Sequence, residues 1–231
     1  YDLPVPRIAK DDVMVIPANF ESFASEWSIP ADDLRLWVCA QEIAMHSVLR
    51  IPHVRATVEE FLSAYAAGFE PDPNALGDRL GSMEFDMSDP SSMSGMQSMF
   101  GDPELLLGAI QSQAQRDMLP KFEALIAAMV GYVDHIVDAV GSSLLSNTTM
   151  ISEAVRRRRV EADDSDRFVE RLFGLELTQA TYDRGAAFVA GIVERAGNDG
   201  LVRLWESERT LPTPAEIEAP GLWLARIELP D

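Results

Sequence analysis

Residues 38–49 read VCAQEIAMHSVL, and their spacing suits a helix built to hold a metal. Side chains four residues apart stand one above the other on a helix. Gln41 and Met45 are so placed, and a carboxylate, Glu42, directly follows the first of them. In the pattern H-E-x-x-H the same frame carries two histidines that grip one Zn²⁺, and a glutamate that takes a proton from metal-bound water. Here Gln41 offers an amide and Met45 a thioether, both poor ligands for zinc. His46 comes one residue late. The residues by themselves predict an unligated site with Glu42 in the position of the general base.

A rebuilt metal site is the competing reading. Glu42 and His46 are four apart, and Asp134 and His135 sit in a second helical stretch, so Glu42, His46 and Asp134 make a ligand set for zinc or another divalent ion, with His135 beside them. Geometry opposes it, because His46 is turned about 100° from Met45 around the helix axis. Without metal, a buried Glu42 must find a donor or become protonated. His46 or His135 is the expected donor. Cys39 lies mid-helix with no base and orienting group evident, so it is not read as a nucleophile. The chain has no G-x-S-x-G, no P-loop and no G-x-G-x-x-G.

The elements that must position these groups are helices. Pro30 starts one, with Asp32 and Asp33 at its positive end, and Leu34, Val38, Gln41, Met45 and Leu49 recur at helical spacing, which turns them inward. A second helix follows Pro52, with Val54, Val58, Phe61, Leu62 and Tyr65 on one face. Phe122 to Val140 is apolar on most sides and reads as a central helix. Further helices are expected at 147–160, 165–174, 176–196 and 199–208, and Thr213 to Glu216 forms a capping box with proline at the first helical position. Val13 to Pro17 reads as one short β-strand. Residues 1–12 form an arm. Residues 69–103, dense in Gly, Pro, Ser, Asp and Met, are expected to be a mobile loop, least ordered over 81–101. The expectation is one mainly α domain over residues 1–231 with a minor β element near its start.

The 231 residues carry 19 basic and 38 acidic side chains, for a net charge of −19. That field repels phosphate backbones and anionic lipid, which argues against nucleic acid and membrane surfaces as partners. The run Arg156 to Arg159 reads as a solvated helix end. A single cysteine suits a reducing, cytoplasmic setting. The chain opens on Tyr1, so a segment upstream is expected to be missing. The partner implied is an unidentified protein or peptide, and the oligomeric state is left open.

Seven segments in order, VIPANFESFASEWSIP, DDLRLWVCAQEIAMH, GYVDHIVDAVG, RRRRVEA, DRFVERLFGLEL, DRGAAFV and LPTPAEIEAPGLWLARI, together resemble a bacterial zincin-like family. Its members carry hydrolase or zinc-dependent metalloprotease labels, and some are associated with deazaflavin-coenzyme biosynthesis. The resemblance runs from about Val13 to Pro230 and implies a zincin-like helical domain. The family pattern is H-E-[LV]-T-H, with a later E-G-[HY]-x-D whose glutamate is the third zinc ligand. The resemblance maps the three ligand positions onto Gln41, Met45 and Val130, and only Glu42 agrees among the reactive positions. It implies a pseudoenzyme with no bound zinc that serves as a binding or scaffold protein. The alternative is a metal-dependent peptidase or other hydrolase built on Glu42, His46 and Asp134.

Overall fold

The computed structural model describes residues 3–7, 13–69, 112–145, 147–160, 170–175 and 177–229. The loop expected over 69–103 lies outside them apart from Phe69, as does the first half of the helix expected over 165–174, residues 165–169. The described elements are helices: α1 (Pro17–Glu26), α2 (Ala31–Leu49), α3 (Pro52–Ala67), α4 (Gln113–Leu144), α5 (Thr148–Val160), α6 (Gln179–Val202), α7 (Pro214–Glu218) and α8 (Pro220–Glu228), with 3₁₀ turns at Arg203–Trp205 and Glu208–Thr210.

Local chemistry explains most of the boundaries. Prolines open α1, α3, α7 and α8, where a missing N–H costs nothing. Pro30 caps α2 from the residue before it and so stands one place earlier than expected. Ser112 and Gln115 close a reciprocal capping box at the start of α4. That helix runs 32 residues through Pro120, well beyond the span its apolar run marks out. By length and hydropathy it could cross a membrane, but 61% of its most apolar window is buried inside the fold. The helix expected to stop near GNDG is interrupted there: Gly197 sits at φ 65°, a left-handed conformation glycine adopts without strain, and α6 resumes beyond it.

Among the described residues there is no strand. Val13 to Ile16 have the β-branched composition of a strand, yet all four side chains are exposed and the segment is an extended lead into α1. Strand propensity describes a fit to a pleated neighbour, and among the described residues no strand lies beside this segment.

Helix α4 divides the core in two. Phe122, Leu125, Ile126, Met129, Val130, Val133 and Val137 join the inward faces of α1, α2 and α3 in one cluster. Ala124, Ala127 and Ala128 face Phe188, Val189 and Ile192 of α6, with Ile217 and Trp223 completing a second. Where α4 crosses α6, their backbones touch. A Cβ on Gly131 would fall 2.3 Å from the Gly185 carbonyl, and one on Gly185 would fall 2.0 Å from the Ala127 oxygen.

The C-terminal helices are locked by charge. Glu216 closes the capping box with Thr213 and also receives two hydrogen bonds from Arg226, at 2.5 and 2.9 Å. Arg226 donates as well to the Leu211 carbonyl at 3.0 Å and to that of Arg209, while the Trp223 indole N–H donates to Thr210 at 2.6 Å. Burial pushes the Glu216 carboxyl up, but the hydrogen bonds from Arg226 and Thr213 outweigh it and hold it below its ordinary 4.5.

Two stability measurements test this architecture. Gly185→Ala should cost about 3 kcal/mol in urea unfolding, because the added methyl meets backbone that cannot move aside. Arg226→Met should cost about 3 kcal/mol at neutral pH by stranding the Glu216 carboxylate. A carboxyl with a depressed native pKa stabilises the fold above its unfolded value and loses that contribution as pH falls through the native one. The penalty of Arg226→Met should therefore shrink below pH 4.5.

Candidate functional site

The inward stripe of α2 is as the spacing predicts. Leu34, Gln41, Met45 and Leu49 are buried and Val38 is half-buried; Trp37 and Val48 join them. Helix α2 packs against α4, and Met45 and Val130 lie in the same apolar cluster. Gln41 is 6% exposed and Val130 4%. These three positions present an amide, a soft sulfur and a hydrocarbon.

Glu42 stands at the edge of this stripe, half-buried, and its partner is neither histidine. Arg7 of the N-terminal arm donates to Glu42 Oε2 at 2.7 Å. The same guanidinium reaches the Met14 carbonyl, at 3.4 Å. Arg55 of α3 in turn donates to the Arg7 carbonyl at 2.8 Å and pairs with Glu59. With Arg7 come Leu3 and Val5, packed against the first core cluster, and a buried Pro4. Leu3, Val5, Arg7, Glu42, Met45, His46, Leu49, Arg50 and Arg55 line a narrow space of about 30 Å³, room for one or two waters. His46 contributes a buried Nε2 that has no hydrogen-bond partner among the described residues.

Asp134 and His135 belong to a different cavity. It has a volume of about 300 Å³, between α4, α5 and α6, and its wall also carries Asp138, Arg156, Arg159, Tyr182 and Asp183. Asp134 is held there by Arg159 through a bidentate pair, at 2.7 and 3.0 Å. The Arg159 guanidinium lies 4.1 Å from the centre of the Tyr182 ring. Asp138 accepts from Ser152 at 2.7 Å and lies 3.8 Å from Arg156. Glu42 and His46 therefore share one space, Asp134 and His135 another. Among the described residues no group of three or more His, Cys, Asp or Glu is placed to hold a metal.

Two assignments from sequence need correction. The expected donor to Glu42, His46 or His135, is replaced by Arg7, which lies outside every local pattern around the helix. The arginine run is not uniformly a solvated end. Arg157 is 62% exposed, but Arg159 is 12% exposed and buried against Asp134 and Tyr182. Four basic residues in a row cover more than one side of a helix, so one of them must turn inward.

The sequence matches the zincin-like metallopeptidase family over residues 1–224. The chain belongs to that family. A solved structure from Chloroflexus aurantiacus, described as a "putative hydrolase with a novel fold", is similar with a TM-score of 0.61 and 23% identity. The alignment covers 92% of this chain and 57% of that one, so this chain spans little more than half its neighbour's length, and the likeness is one of fold. No curated protein matches the sequence.

The arginine run provides a check on the second cavity. Arg159→Ala should cost about 2–3 kcal/mol in thermal or urea unfolding, since it leaves Asp134 without its bidentate partner and uncovers Tyr182. Arg158→Ala, on the exposed side, should stay within about 0.5 kcal/mol.

Proposed function

We propose that this chain is a non-catalytic member of the zincin-like metallopeptidase family, a pseudoenzyme that binds a protein or peptide partner through the frame of the former metal site. The observation that carries this reading is the engagement of Glu42 by Arg7 at 2.7 Å. A general base must face a water that a metal has activated; this carboxylate faces a guanidinium delivered by the arm. Zinc needs three or four deprotonated, convergent ligands. The positions that the family's ligands map to hold an amide, a thioether and an isopropyl group, which do not fit it.

The displaced-ligand alternative asks Glu42, His46 and Asp134 to converge. Asp134 would have to leave Arg159 and its own cavity, a cost that nothing in the α2 groove offsets.

Elemental analysis of the purified chain tests the proposal, with no stoichiometric zinc expected. The triple change Gln41→His, Met45→His and Val130→Glu should create a chelator-sensitive zinc site, because Glu42 and the helices that aim it are retained. Val130 is buried among apolar side chains, so a glutamate there is costly until a metal pairs it. Added zinc should therefore raise the melting temperature of the triple variant and leave that of the wild type unmoved. About one zinc per wild-type chain, lost in His46→Ala, would overturn the proposal in favour of the displaced site.

A further inference from the structure

The groove beside Glu42 already holds a peptide-like occupant. Residues 3–7, Leu-Pro-Val-Pro-Arg, lie in it: Pro4 is buried, Leu3 and Val5 are half-buried, and Arg7 seats on Glu42. The Val5 N–H donates to the Leu3 carbonyl at 2.7 Å, a three-residue turn around Pro4. The groove supplies what such a segment needs: a carboxylate for the guanidinium, the Arg55 guanidinium for a backbone carbonyl at 2.8 Å, and an apolar floor from Met45 and Leu49. A further polar atom, His46 Nε2, is buried at the groove and has no hydrogen-bond partner among the described residues.

We propose that this groove is a docking site for a proline-stiffened, arginine-bearing segment of a partner protein, and that the chain's own arm is a resident occupant which the partner displaces. The inference rests on the reading of the family site as a binding frame rather than a catalytic one. Three physical points support it. Prolines restrict the free segment, so little further conformational entropy is lost on docking. The charged contact that anchors the arm is partly open to water, with Arg7 and Glu42 35% and 20% exposed, so solvent screening weakens it and a competing guanidinium can replace it. The charge of −19 draws cationic segments toward the surface.

A fluorescein-labelled peptide of residues 1–10, YDLPVPRIAK, titrated by anisotropy against the full chain provides the test. A tethered arm competes at about millimolar effective concentration. The wild type should therefore bind the probe at least tenfold more weakly than Arg7→Ala, in which the arm has lost its anchor. The double variant Arg7→Ala/Glu42→Gln should lose that gain, and so should a probe with citrulline in place of arginine. Arg7→Gln repeats the measurement should Arg7→Ala melt early. Equal binding of the arginine and citrulline probes, or no dependence on Glu42, overturns the proposal. It is also overturned if Arg7→Ala ignores the probe but dimerises with rising concentration, because the occupant is then a second copy. Zinc content measured on the same samples reports separately on the pseudoenzyme reading: probe binding without zinc supports both, zinc without Glu42-dependent binding sinks both, and neither zinc nor binding sinks this inference alone.

Discussion

The contact between Gly131 and Gly185 sets the geometry on which the other elements depend. With a carbonyl carbon 2.3 Å from where a Cβ would stand, helices α4 and α6 meet backbone to backbone. No side chain larger than a hydrogen fits at that crossing. The close approach lets the small faces of Ala124, Ala127 and Ala128 pack directly on Phe188 and Ile192. It also fixes the rotation of α4 about its own axis. The residue before Gly131 then falls in the cluster shared with α2, while Asp134, one turn later, lines the cavity that Arg159 and Tyr182 close. A rotation of α4 would move all of these together, so one glycine contact places both candidate sites.

Glu42 shows the same dependence at the level of charge. A half-buried carboxylate is stable only beside a cation, a set of donors, or a proton. In the catalytic pattern the nearby positive charge is a divalent metal ion. Here it is a guanidinium brought from far back in the sequence, itself steadied by Arg55 on the neighbouring helix. The exchange keeps the electrostatic requirement of the position and changes what the position offers. A metal presents an activated water; an arginine presents a chain that leads away from it.

How far the sequence could be read follows from the range of each interaction. The inward stripe of α2, the proline starts and the Thr213 capping box are local, set by residues within a turn or two, and periodicity or end chemistry exposes them. Val13 to Ile16 misled because its composition reports a preference for a sheet that has no second member among the described residues. The pairings Arg7 with Glu42 and Arg159 with Asp134 join residues remote in sequence, and no spacing rule points to either. Gly185 was readable as a glycine inside a helical pattern, a residue that costs about 1 kcal/mol there, but not as the partner of Gly131. The histidines were the natural donors for Glu42 by type, and lost to a residue outside the helical framework altogether.

The separation of the two carboxylates is the last consequence. Asp134 lies one turn beyond Val130 and would be the nearest acidic substitute for a lost ligand on α4. Its two oxygens are both committed to Arg159, in the planar two-point geometry that makes arginine the strongest side-chain partner for a carboxylate. Tyr182 covers the other face of that guanidinium. Drawing Asp134 toward Glu42 would break both of these charge-assisted hydrogen bonds, to an arginine whose side chain is only 12% exposed. The α4 carboxylate is thus tied to α5 through both of its oxygens, at 2.7 and 3.0 Å, whereas the arm's arginine reaches the α2 carboxylate through one, at 2.7 Å.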